Sequence, residues 1–178
     1  MTEVLQIAKT WQGVPIPESE QVTVLVDRSG AGLRLRVEAP FHGDPAPPAR
    51  PGPCDRLWEF EVVEVFLAGP PDDVGRIPYT EVELSPHGHH LVLRMLGVRN
   101  AIDWALPLVY RAEIAGNRWR GEAVIPASFL PPLIGLTGNA YAIHGPRDAR
   151  RYLAAIPLPG PRPNFHQPDR FRPLDLEG

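Results

Sequence analysis

One cysteine, Cys54, and one lysine, Lys9, stand among 178 residues. A lone thiol cannot close an internal disulfide and suits a reducing compartment. Basic charge is carried by arginine instead, and 18 basic against 21 acidic residues leave a net charge of -3. That balance gives no reason to expect nucleic acid or an anionic membrane as partner. No apolar run approaches the roughly 20 residues that span a bilayer. The opening stretch MTEVLQIAKTWQG lacks a basic region followed by an apolar one, so no secretory leader is expected. These absences predict a cytoplasmic protein. Long helices are not expected either, because 23 prolines cannot donate to helix or sheet ladders.

What is there is a hydrophobic fraction of 43%, enough for a sizeable core, in many short alternating runs. QVTVLVD (21–27) and GLRLRVEA (32–39) alternate apolar with polar residues on either side of RSGAG (28–32), a hairpin turn. Similar runs fall at 58–68, 79–85, 90–96, 108–115, 118–125, 139–145 and 150–156. The pairs at 87–88 and 116–117 mark further hairpin turns. PASFL (126–130) predicts one short helical turn. The pattern is that of an all-β protein: residues 1–178 as a single β-sandwich of two antiparallel sheets, with at most one short helical turn. Closure into a barrel is the weaker alternative. Two Pro-rich loops, 40–56 and 157–168, are long enough to carry function.

In LWEFEVVEVFLAG (57–69), Trp58, Phe60, Val62 and Phe66 share one parity, and so does Glu64. A carboxylate in an apolar stripe needs a reason, because a buried unpaired charge is costly. Three are open: the stripe lines a site, Arg94 in HLVLRML pairs with Glu64, or a bulge near Val62–Val63 shifts the parity. Glu81 and Glu83 share a face with Tyr79, about 6.5–7 Å apart along a strand. That is near the separation that inverting glycosidases use, although alternating Glu more often marks a solvent face.

His87, His89 and His90 read as a solvated hairpin tip. No metal ligand is assigned, since neither an HExxH nor a paired-cysteine pattern occurs. His144 and His166 fall at strand–loop junctions, where ligand groups collect. Arg147, Arg150 and Arg151 read as a solvated basic face, with steering of an anionic ligand as the alternative. No GxSxG elbow surrounds Ser128, Cys54 has no identifiable base, and no phosphate cradle is present.

Four strings, LWEFEVVEVFLAG, YTEVELSPHGHHLVL, RWRGEAVIPASFLPP and NAYAIHGPRDARRYLAAIPLPGPRPNFH, resemble the family of the human chromosome 4 open reading frame 33 protein. The likeness runs from about residue 57 to about 166 and carries no established activity. More distantly, the order of these motifs is similar to family 9 carbohydrate-binding modules and the wider DOMON-like β-sandwiches. That resemblance implies a sandwich with a ligand-binding face, on which Trp58 and Glu64 match an aromatic and a carboxylate six residues apart. Arg94 is the counterpart of an arginine on a later strand, and Tyr152 or Phe165 could supply a second aromatic. Haem-binding relatives use Met and His, here Met95 and His144.

The expected site is therefore Trp58, Glu64, Arg94, His144 and His166, with a carbohydrate-like small molecule as ligand. No cofactor is predicted, with calcium and haem left open. The alternatives are an enzyme working through carboxylates that face one another across a cleft, or an interaction protein in which Glu64 and Arg94 only neutralise each other.

Overall fold

A computed structural model describes residues 1–30 and 32–176; residue 31, inside the turn expected over 28–32, and residues 177–178 lie outside the described residues. The strands are β1 (Thr2–Ile7), β2 (Lys9–Thr10), β3 (Val22–Ser29), β4 (Gly32–Pro40), β5 (Gly52–Pro53), β6 (Val62–Ala68) and β7 (Pro78–Leu84). There follow β8 (His89–Leu96), β9 (Ala101–Asp103), β10 (Val109–Ala115), β11 (Arg118–Ile125), β12 (Thr137–His144), β13 (Arg151–Ala154) and β14 (Arg172–Pro173). They form a five-stranded sheet in the order β1-β3-β4-β11-β10 and a nine-stranded one built on β2-β13-β12-β6-β7-β8-β5, with β9 on β8 and β14 on β12. All pairings are antiparallel except the two-residue β5–β8 ladder. The turn expected over 126–130 forms at Ala127–Phe129, and the other helical pieces are 3-10 turns of the same three-residue length. Among the described residues no helix is long and apolar enough to cross a membrane, which says nothing of strands.

Alternation builds the space between the sheets. Val22, Val24 and Val26 of β3 and Leu33, Leu35 and Val37 of β4 point inward and are at most 2% exposed. They meet Val63, Val65 and Leu67 of β6, Val82 and Leu84 of β7, and Ala140 and Ala142 of β12. Gly88 (φ +83°) and Gly116 (φ +62°) take the left-handed conformation in the β7–β8 and β10–β11 turns.

The larger sheet is also covered on its other face. Val62 and Phe66, Tyr79, Leu91, Leu93 and Met95, and Tyr141 and Ile143 form a second apolar cluster beneath Leu57, Leu158, Phe165 and Phe171. Central strands buried on both faces lose the solvent alternation, so β6 has no exposed residue. The predicted stripe needs one correction. Trp58 lies in a 3-10 turn, Leu57–Glu59, and Phe60 precedes the strand. From Val62 the register with β7 and β12 runs without a break, so there is no bulge at Val62–Val63.

Candidate functional site

The second cluster is not closed over Glu64. A cleft of about 370 Å³ opens there, with Trp58, Trp104, Tyr152 and Phe165 on its walls and Glu64, Glu81, Arg99 and His166 among its polar groups. The strand register dictates the floor. Glu64 of β6 stands directly opposite Glu83 of β7, and Phe66 opposite Glu81. Glu64 is thus the cross-strand neighbour of Glu83 and the diagonal neighbour of Glu81, close enough for all three side chains to meet. One oxygen of each lies within 4.8 Å of the others. The residues are 3%, 4% and 0% exposed for Glu64, Glu81 and Glu83. Glu81 and Glu83 are therefore not on a solvent face. The trio rises side by side from two neighbouring strands, not from opposite walls of the cleft.

Burial among like charges penalises ionisation. Burial pushes the Glu81 carboxyl up to about 8, against the pull of Arg99. Burial and the Glu81 charge drive Glu64 well above the usual carboxylate range, with Arg150 and Arg99 opposing. Glu83 goes the same way, from burial and then from Glu64 and Glu81. The Trp58 backbone N–H approaches Glu83 and favours its charged form, without completing a hydrogen bond.

One wall is held by a relay. The Arg99 backbone N–H donates to the Tyr79 hydroxyl at 2.9 Å, and that hydroxyl meets His166 Nδ1 at 2.9 Å. With its oxygen accepting from Arg99, Tyr79 donates to Nδ1, so the proton of neutral His166 sits on Nε2. Nε2 faces Glu81 Oε2 at 3.8 Å. Burial and Arg99 lower the His166 pKa to about 4, which keeps the ring neutral. Phe165 stacks on Tyr141 with ring centroids 3.8 Å apart. Trp104 stands edge-on to Trp58 at 6.5 Å, its indole N–H donating to Asp55 at 3.0 Å. Arg56, Arg99 and Ala105 have positive φ of 58°, 57° and 53°, and each lies at or within two residues of a cleft-lining residue. Left-handed non-glycine backbone of this kind gathers at ligand-binding loops.

Of the predicted residues, Trp58, Glu64 and His166 come together in the cleft, joined by both candidate aromatics, Tyr152 and Phe165. Arg94 and His144 do not. Leu93 and Met95 face the cleft side of β8, so Arg94 takes the other side and pairs with Asp103 at 2.7 Å. The Glu64–Arg94 pair, one of the three explanations open for Glu64, is therefore absent. His144 continues the parity of Ala140 and Ala142 and stacks on His42 at 3.5 Å. Met95 and His144 consequently sit on opposite faces of one sheet and cannot ligate one haem.

Other expectations also change. The β8 histidines are not a solvated tip. His89 and His90 are 2% and 4% exposed, His89 Nε2 meets the Ala49 carbonyl at 2.9 Å, and His90 Nε2 accepts from Leu108 N–H at 3.1 Å. Arg150 is not a solvated face either. Its guanidinium donates to Gly145 O at 2.7 Å, to Trp58 O at 2.9 Å and to Phe60 O, and pairs with Asp44 at 3.3 Å. It thereby fixes the segment that carries Trp58. Arg99, Tyr79, Trp104 and Arg150 were not singled out for the site. The available signals were GVRN, a turn string next to β8, and a tryptophan in a loop.

No family model matches the chain. It is 41% identical over 179 aligned residues to the UPF0462 protein C4orf33 homolog of Mus musculus, covering 96% of this chain and 90% of that protein. It is 39% identical to the UPF0462 protein C4orf33 of Homo sapiens (96% and 87%) and 36% identical to the homolog of Danio rerio (96% and 88%). The likeness thus extends well beyond residues 57–166. Among solved structures, a proposed carbohydrate-binding protein from Bacteroides uniformis superposes with a TM-score of 0.71 at 20% identity, over 96% of this chain and 84% of that one. A family 9 carbohydrate-binding module of Caldicellulosiruptor kristjanssonii in complex with glucose gives a TM-score of 0.42 at 15% identity, over 76% and 66%.

Proposed function

The chain belongs to the UPF0462 family of C4orf33 proteins, and we propose that it binds a carbohydrate-like small molecule in the cleft beside Glu64. The observation that carries this reading is the make-up of the cleft: aromatic walls over a floor of carboxyl groups, with Arg99 also lining it. Sugar rings present C–H faces that pack on aromatic rings, and hydroxyl edges that need donors and acceptors together. Trp58 and Trp104 at the mouth, with Tyr152 and Phe165, suit the first need. Glu64, Glu81, Arg99 and the Nε2 proton of His166 suit the second. A volume of about 370 Å³ lies within the usual range for small-molecule sites. The shared fold with a proposed carbohydrate-binding protein supports beginning the ligand search with sugars.

Thermal unfolding against a panel of mono- and oligosaccharides and sugar phosphates tests the proposal. A ligand at 100 times its Kd stabilises by about 2.7 kcal/mol, readable as a rise in Tm. The rise is expected for one sugar class and is expected to vanish in Trp58→Ala, whose side chain lines the mouth. A panel without any shift, or a shift that Trp58→Ala retains, refutes the assignment.

A further inference from the structure

The carboxyl groups under the cleft leave oxygens that nothing in the protein satisfies. Neither oxygen of Glu83 has a hydrogen-bond partner, and Glu81 leaves Oε2 unpartnered at the cleft floor. Both residues are more than nine-tenths buried. Glu61, equally buried, shows what a satisfied carboxylate looks like in this fold, accepting from the backbone N–H groups of His42 at 2.9 Å and Asp44 at 3.3 Å. Orphaned buried acceptors are uncommon, and each calls for an explanation such as an ion.

A cation supplies one. Oxygen atoms of Glu64, Glu81 and Glu83 within 4.8 Å of one another fit the shell of a single hard ion bonded at about 2.3–2.6 Å. The donors are all carboxylate oxygens, the chemistry preferred by calcium, magnesium and manganese over softer metals. Among the described residues no arginine makes an ion pair with any of the three; Arg99 and Arg150 act on them only from a distance, and His166 stands 3.8 Å from Glu81. A divalent ion together with the Arg99 guanidinium in the same cleft would match three carboxylate charges.

We propose that Glu64, Glu81 and Glu83 form a divalent-cation site of the calcium class at the floor of the cleft. The ion's remaining positions open toward the cleft, where water or a ligand oxygen completes the shell. The site shares Glu64 and Glu81 with the proposed sugar cleft, but the metal is tested alone, so the two readings fail separately.

The experiment is a titration of chelator-stripped protein at pH 8 with calcium, manganese or magnesium chloride, followed by native mass spectrometry and thermal unfolding. One ion per chain is expected, with a saturable rise in Tm. Glu64→Gln and Glu83→Gln should each weaken binding by at least tenfold, while Glu113→Gln on the exposed face of β10 leaves it unchanged. Absence of saturable uptake up to about 10 mM, roughly ten times the weakest common calcium affinity, overturns the proposal. So does uptake that survives both cleft substitutions. Should those variants fail to fold, terbium in the wild-type protein decides. Luminescence sensitised by the cleft tryptophans and displaced by calcium places the ion there, and its absence overturns the site.

Discussion

Arg94 and Arg99 show how much of a site depends on one residue of parity. Arg94 falls on the wrong side of β8 and pairs with Asp103, while Arg99, past the end of the strand, turns back into the cleft through a left-handed backbone. The sequence displayed both arginines equally. Alternation within β6 made Glu64 legible as the odd residue of an apolar stripe. Its neighbours Glu81 and Glu83 were not, because alternating glutamates look the same on a solvent face and on a face roofed by a distant segment. His144 was misplaced for a similar reason: the end of a strand still obeys the strand's parity. There it is buried against His42, with Arg151 and Arg150 nearby, and its pKa drops to about 3. The unfolded chain binds a proton at His144 near pH 6.5 and the folded one does not, so this residue's contribution to stability falls as pH drops from about 6.5 toward 3. At pH 5 the loss amounts to about 2 kcal/mol, the equivalent of about one and a half pKa units. Urea unfolding of wild type and His144→Asn at pH 7 and pH 5 checks this. The variant should lose less stability on acidification, and equal losses would count against it.

At the scale of elements, the long strands were readable and the short ones were not. β3, β4, β7, β10 and β11 alternate over seven or more residues, and β8 reads as an apolar run between turn residues. β2, β5, β9 and β14 are two or three residues long, too short to show a period, and exist because a neighbouring edge offers hydrogen bonds. β1 shows only Leu5 and Ile7 as its buried face, and so escaped notice. Loops were the least legible, since their shape is set by single polar anchors. Arg150 is the clearest of these, tying three backbone carbonyls and Asp44 into one clasp. With both side chains of that pair largely buried, Arg150→Ala strands a carboxylate and three carbonyls, and should cost about 3 kcal/mol in chemical denaturation. Arg150→Lys should recover less than half, because an ammonium cannot fork to carbonyls on two segments. Full recovery by lysine would mean that charge alone is needed there. Gly32 is constrained differently: a Cβ there would stand 2.0 Å from the Ile125 carbonyl oxygen, so Gly32→Ala must move β4 away from β11. A lowered Tm of about 5 °C or more is expected, in line with a loss of about 2 kcal/mol or more.

At the scale of the molecule, the two apolar clusters share the nine-stranded sheet as a common wall. Trp119 is buried between the sheets, while Trp58 and Trp104 stand at the cleft. If both clusters belong to one cooperative unit, as the sequence predicts for a single domain, tryptophan fluorescence and far-ultraviolet circular dichroism report the same transition. Two separated transitions would divide the cleft layer from the sandwich.

The pairing of β6 with β12, and of β4 with β11, joins parts of the chain far apart in sequence. On the ribosome, β6 and β7 emerge with Glu64, Glu81 and Glu83 still wetted and free to ionise. Their roof, Phe165, His166 and Phe171, follows later in the chain. The water is driven off only as that roof settles, so covering the floor is also a titration: the carboxylates must take up protons or another positive charge as they are covered.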